Sequence, residues 1–308
     1  MPELTVAMAA YNTEKYIREA IESVLRQKDV DFELIVIDDR STDKTLEIIQ
    51  SFHDLRIRLN RNEKRRGCAY CLNHAIRISE APFFAIVDSD DMLIDERALK
   101  KSINCLKSAS SIGQSHGYYV CTDENGRVDP DYFFEWRKNL VRIFSAERNQ
   151  RSDILLYSGI FLNTLRVYKR NIFYVIGFFN ESLLHGGEDW EMALRIIDRY
   201  DIGLIPEFLY AYRIRKKSLS RKKRWRLLFS IFHDFNILMD LKKSGKATYL
   251  RTGEYSLFRI FPRLLFSRMV YTLSPFIPFC VKNAIKRFLA VLSAAKYLSW
   301  VHDYPGMR

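Results

Sequence analysis

Through the first hundred residues, short apolar runs alternate with amphipathic stretches. "LTVAMAA", residues 4–10, is an uninterrupted apolar run of strand length. After it, Ile17, Ala20, Ile21, Val24 and Leu25 recur at the i, i+3, i+4 spacing of a helix, with Asn12 or Thr13 placed to cap it. "FELIVID" predicts a second buried strand, and "DKTLEIIQSF" a helix capped by Ser41 or Thr42. "RIRLNRNE" is a more polar strand, suited to a sheet edge, and "GCAYCLNHAIRIS" is helical, with Ala69, Leu72 and Ile76 on one face. "FFAIV", residues 83–87, is apolar at every position and predicts a central strand. Strands that alternate with helices predict an α/β fold, a mostly parallel sheet flanked by helices.

From about residue 116 the pattern changes. "GYYVCTDENGRV" carries an Asn125-Gly126 turn signal and predicts a hairpin. Residues 130–153 are polar, aromatic and aperiodic, as in a loop or lid. "GEDWEMALRIIDRY" predicts an amphipathic helix and "IGLIPEFLYAYRI" a returning strand. Beyond Arg213 the chain reads as helical, basic and aromatic.

Charge divides the chain at the same place. The formal net charge of +12 hides 28 Lys/Arg against 33 Asp/Glu in residues 1–212, and 21 against 4 in residues 213–308. Basic, aromatic, amphipathic segments such as residues 225–308 suit an anionic membrane surface; an ordinary helical subdomain is the other reading. No nucleic-acid recognition motif accompanies the charge, so no nucleic-acid partner is expected. The longest apolar stretch, "MVYTLSPFIPFCV", falls short of the roughly 20 residues a spanning helix needs. "MPELTVAMAAYN" reads as a strand rather than a secretory signal, and the five cysteines suit a reduced, cytosolic setting. Cys68 and Cys71 form a C-x-x-C with no second pair, which favours helix packing over a metal or redox role.

Three polar clusters follow strands: "AAYN", "DDRSTD" and "DSDD". Open parallel sheets bind ligands beyond the carboxyl ends of their strands. Crowded carboxylates repel one another unless a cation sits between them, and Mg²⁺ or Mn²⁺ accepts one or two carboxylates together with phosphate oxygens and water. Asp88, Asp90 and Asp91 therefore suit a metal-bound diphosphate. The absence of both G-x-G-x-x-G and G-x-x-x-x-G-K-[ST] argues against dinucleotide oxidoreductases and P-loop NTPases.

The ordered blocks "VAMAAYNTEKYIREAIESVLRQ", "ELIVIDDRSTDKTLEII", "AIVDSDD" and "GEDWEMALR" resemble glycosyltransferase family 2 over roughly residues 3–220. That resemblance implies a GT-A (Rossmann-like) fold, an inverting, metal-dependent mechanism using Mn²⁺ or Mg²⁺, and a nucleotide-sugar donor, expected to be UDP-linked. It implies that Ala10, Tyr11 and Asn12 line the nucleotide pocket, that Asp39 binds the base, and that Asp88 and Asp90 are the D-x-D pair at ribose and metal. Asp91 belongs to the same acidic group, and members differ in which carboxylate meets the ion. Lys64, Arg65 and Arg66 either approach the phosphates or are solvated surface charge. Asp189 matches the catalytic base, with Glu188 its rival. Arg213, Arg215 and Ser218 stand where a diphosphate clamp is expected, Arg215 replacing a usual histidine. "RKKRW" has Arg221 in place of the Gln of Q-x-x-R-W, which argues against processive synthesis.

The resulting expectation is single-sugar transfer to a hydroxyl of a glycan or lipid-linked acceptor in cell-envelope polysaccharide or lipopolysaccharide synthesis. Its setting is cytoplasmic, peripheral on the cytoplasmic face of the membrane. Residues 1–220 form the catalytic domain, with a nucleotide half at 1–115 and an acceptor half at 116–220, and residues 221–308 a C-terminal basic, aromatic helical extension. The competing readings are a nucleotidyltransferase on a similar sheet and a non-catalytic nucleotide- or membrane-binding module.

Overall fold

The structure is a computed structural model that describes residues 1–128, 164–183, 186–215 and 227–246, the side chains of 227–235 excepted. The chain divides into two units, one drawn from residues 1–151 and 161–218 and one from residues 152–160 and 219–308. Four expectations lie outside the described residues: the lid at 130–153, Ser218, "RKKRW", and the helical segment beyond 246.

The first unit is built on β1 (Leu4–Ala10), β2 (Phe32–Asp38), β3 (Ile57–Arg61) and β4 (Phe83–Ile86), which pair in parallel in the order β3-β2-β1-β4. Every residue of β4 is buried and β3 lies at the edge, as their apolar and polar compositions require. Helices α1 (Ile17–Leu25), α2 (Thr45–Gln50), α3 (Cys68–Ile78) and α4 (Ala98–Ser108) connect these strands and the ones that follow. In α1 the buried stripe is Ile17, Ala20, Ile21 and Val24, and α3 buries Ala69, Cys71, Leu72 and Ile76. Burial of such a helix face is worth about 25 cal/mol per Å² of apolar surface.

The expected caps are not used as caps. Helix α1 begins after Tyr16 and α2 after Lys44, neither with a side-chain cap bond. The polar residues instead staple two loops together. Asn12, at φ 52°, accepts the Thr42 N–H at 2.9 Å, and Thr45 Oγ1 accepts the Thr13 N–H at 2.8 Å.

Beyond β4 the sheet becomes mixed. Strand β7 (Arg166–Lys169) runs antiparallel to both β4 and β6 (Ile112–Thr122), β8 (Asp201–Arg213) pairs in parallel with β6, and the two-residue β5 (Met92–Leu93) closes the far edge against β8. The register of β8 skips Pro206 and Glu207 opposite Gly117 and Tyr118. Proline supplies no ladder N–H, so a bulge there costs little pairing. Of the hairpin expected in "GYYVCTDENGRV", the described residues show a turn at Gly126 (φ 80°), the Asp123 N–H donating to the Arg127 carbonyl at 2.8 Å, and a bridge between Thr122 and Val128.

Among the described residues, helices α5 (Ile172–Ile176) and α6 (Glu188–Arg199) also belong to this unit. Between them, Arg195 of α6 is fully buried and donates to the carbonyls of Ile176, Gly177 and Phe178. Its charge is balanced by Glu191 at 2.6 Å, one turn earlier. A buried ion pair holds only with such added hydrogen bonds, and here they fix the turn that leads toward α6.

The described part of the second unit is one helix, α7 (Leu227–Ser244). Gly245 (φ 67°) ends it, and the Lys246 N–H returns to the Leu241 carbonyl at 3.2 Å, a left-handed C-terminal cap. Among the described residues no helix is long and apolar enough to cross a membrane.

Candidate active site

The carboxyl ends of β1, β2 and β4 meet at one edge of the sheet. Ala10 is in register with Asp38, and the Asp39 N–H donates to the Ala10 carbonyl at 2.8 Å. Asp39 is buried, and its carboxylate orders the loop into α3. Oδ1 accepts the Asn62 side-chain amide at 2.8 Å and the Arg66 N–H at 2.7 Å; Oδ2 accepts the Gly67 N–H at 2.8 Å. The Cys71 thiol also bonds to this carboxylate, and its own pKa is pushed up to about 12, chiefly by burial and then by the Asp39 charge. Arg65 stacks over Tyr11 at 4.1 Å, beside the end of β1, and Arg66 over Tyr70 of α3 at 4.5 Å.

The three aspartates after β4 have different surroundings. Asp88 is partly exposed and faces Arg166 at 3.5 Å, while its N–H donates to the Tyr210 hydroxyl at 3.1 Å. Asp90 is partly exposed and pairs with Arg215 at 2.6 Å. Asp91 turns inward: it is 1% exposed, and its Oδ1 accepts the Arg213 N–H at 2.8 Å. Burial pushes the Asp88 carboxyl up to about 6; Asp90 and Asp189 add to the rise and Arg166 opposes it. Burial likewise raises Asp90 and, further, Asp91.

Arg213, expected at a diphosphate, is occupied by protein. Its guanidinium donates to the carbonyls of Asp90 and Glu124 and pairs with Glu19, so it holds the β8 end against the acidic turn. Arg215 is the cation beside Asp90, and both arginines stack on Tyr16.

Asp189 opens α6 behind Gly186 and Gly187, whose φ values of 88° and 100° only glycine adopts readily. Its Oδ1 accepts the Trp190 N–H at 2.8 Å and its Oδ2 faces Arg166 at 3.8 Å. Burial pushes the neighbouring Glu188 up to about 7, with Asp189 adding to the rise. Arg166 is the residue that sequence reasoning missed. Because β7 is antiparallel, its first residue lies at the carboxyl edge, in register with Ile86 and His116. There it is 5% exposed, between Asp88 and Asp189.

Asp88 and Asp90 are partly exposed at the edge and suit a hard divalent cation, whereas Asp91 is buried, its Oδ1 on the Arg213 N–H and its Oδ2 without a hydrogen-bond partner among the described residues. Among the described residues no three acidic, thiol or imidazole side chains converge, so such an ion would take further oxygens from a diphosphate and water.

The model of glycosyl transferase family 2 matches residues 5–177. This chain belongs to that family. It is 31% identical over 236 residues to an uncharacterized glycosyltransferase of Methanocaldococcus jannaschii, covering 73% of this chain and 76% of the relative. It is 34% identical over 125 residues to an Escherichia coli UDP-Glc:alpha-D-GlcNAc-diphosphoundecaprenol beta-1,3-glucosyltransferase, covering 41% and 49% respectively. Among solved structures, S. aureus TarS 1-349 superposes with a TM-score of 0.59 at 20% identity, covering 93% of this chain and 80% of that one. The mannosyltransferase of Pyrobaculum calidifontis in complex with GDP-Man and Mn²⁺ gives 0.60 at 19%, covering 99% and 85%. The mixed sheet flanked by helices in this glycosyltransferase is thus the GT-A fold.

Proposed function

We propose that this family 2 glycosyltransferase moves one sugar from a UDP-sugar, with inversion, to a hydroxyl of a glycan or lipid-linked acceptor in envelope polysaccharide synthesis. The observation that carries the reading is the pair of carboxylates, Asp88 and Asp189, facing one buried Arg166 from two different elements. Asp88 follows the strand end on the nucleotide side of the sheet, and Asp189 begins the helix of the later half.

Asp39 binds the base, and Arg65 and Arg66, in the loop that its carboxylate orders, serve the phosphates. Asp88 and Asp90 would hold the divalent ion, which would neutralise charge on the leaving diphosphate. Asp189 accepts the proton of the acceptor hydroxyl as that oxygen bonds to the anomeric carbon. The bond from that carbon to the diphosphate oxygen breaks, and the nucleoside diphosphate leaves with the electron pair. A single displacement needs one base and no covalent intermediate, which is why one carboxylate suffices. Glu188, pushed up to about 7 by burial, is the near-equal rival for the base, since a general base works best with a pKa near the working pH.

Support for the donor and acceptor comes from relatives. One carries UDP-glucose and a diphosphoundecaprenol-linked acceptor in its name, and TarS has been solved with UDP-GlcNAc. Support for a peripheral position at an anionic, cytoplasmic membrane face is the excess of Lys/Arg in residues 213–308.

A panel of nucleotide-sugars with Mn²⁺ and a GlcNAc-diphosphate-lipid acceptor tests this reading. Release of UDP with one new glycosidic bond, inverted at the anomeric carbon by NMR, is expected. Retained configuration, or transfer from GDP-sugars alone, contradicts it.

A further inference from the structure

We propose that Arg166 is a positioning residue for transfer: it fixes the aim of Asp189 relative to Asp88, and so sets the acceptor oxygen in line with the donor. The inference rests on the reading of Asp189 as the base.

Geometry makes the case. The Arg166 guanidinium is buried at the start of β7, and its two terminal nitrogens diverge, Nη2 toward Asp88 at 3.5 Å and Nη1 toward Asp189 at 3.8 Å. A planar fork can span two carboxylates on different elements, whereas a lysine ammonium acts as a single point charge. The two carboxylates do not depend on it equally. The Asp88 backbone is fixed by Tyr210, and Asp88 directly follows the buried β4 and Val87, whose N–H donates to Ala7. Asp189 stands in the first turn of α6 after two glycines with positive φ. Its Oδ1 is taken by the Trp190 N–H, and its Oδ2 faces Arg166. Loss of the fork therefore releases the base while the donor side keeps its backbone anchors. Misplacement of a reacting group by about 1 Å costs on the order of a hundredfold in rate.

Arg166→Lys keeps the charge and the fold but not the span; Arg166→Met removes both. The probe is Mn²⁺-dependent release of UDP from UDP-glucose or UDP-GlcNAc with water as acceptor, alongside UDP affinity by calorimetry and Tm. We expect kcat to fall about tenfold in Arg166→Lys and about a hundredfold in Arg166→Met, with the UDP Kd within threefold of wild type. Combined with Asp189→Asn, neither substitution should reduce kcat further, because a base that is absent cannot be misaimed. Wild-type kcat in Arg166→Lys overturns the proposal. So do equal losses in kcat and UDP affinity, or losses that multiply with Asp189→Asn. Should Arg166→Met fail to fold, the kcat-against-Kd split in Arg166→Lys decides alone. Wild-type kcat in Asp189→Asn itself marks failure of the base reading and is thereby distinguished from failure of Arg166 alone.

Discussion

Replacing Asp39 by Asn changes one oxygen to NH₂ and removes the charge at a buried site that accepts three N–H bonds, from Asn62, Arg66 and Gly67. The best amide orientation keeps the oxygen at Oδ1, where two donors converge, and sets NH₂ against the Gly67 N–H. One bond becomes a donor–donor contact and the other two lose their charge assistance. A hydrogen bond to a charged group is worth about 1.5–3 kcal/mol and an unsatisfied buried donor costs a similar amount, so the loop should lose about 2–4 kcal/mol. Native-state hydrogen exchange reads this locally: protection of the Arg66 and Gly67 amides should fall by about 30- to 700-fold. UDP affinity should fall at least about tenfold, since the same carboxylate is assigned to the base. If exchange at both amides stays within threefold of wild type, Asp39 does not order this loop and the reasoning fails.

Three further outcomes follow from the structure. Glu188 is raised from 4.5 to about 7, so the native state holds its proton after the unfolded chain has released it. Its contribution is fully present below about 4.5 and is lost as pH rises through 7, so wild-type stability in urea should decline over that window relative to Glu188→Gln, by at most about 3 kcal/mol; parallel profiles would exclude this. Arg195→Met should destabilise the protein by about 3–5 kcal/mol through an unpaired buried Glu191, and Glu191→Leu added to it should restore much of the loss in denaturant titrations. The full chain should sediment with phosphatidylglycerol vesicles and be released by high salt, as an electrostatic attachment through the basic C-terminal region requires; salt-independent sedimentation would contradict that.

Much of the first half was legible in the sequence for a physical reason. Strands β1, β2 and β4 are buried, so their runs are apolar almost throughout, and the polar clusters behind them mark the sheet edge. Strand β7 left no comparable trace. It is four residues long, begins with Arg166 and ends with Lys169, too short for a period to emerge. Arg166 was invisible for the same reason, since its place beside Asp88 comes from an antiparallel pairing distant in sequence. Nor does sequence separate Asp91 from Asp88 and Asp90. That depends on a turn in which the Asp91 N–H returns to the Asp88 carbonyl and its side chain takes the Arg213 N–H. The helix caps were misjudged because Asn12 and Thr45 spend their polar atoms across two loops rather than on their own helix ends.

The central claim is that the carboxylate at the start of α6 activates the acceptor while the strand-end aspartates hold the donor. Asp189→Asn tests it most directly, with UDP-sugar affinity by calorimetry and Mn²⁺-dependent UDP release measured on the same preparation. The account predicts wild-type affinity and a rate reduced by about 10²–10⁴. Wild-type turnover in that variant, or loss of donor binding in proportion to rate, would contradict it.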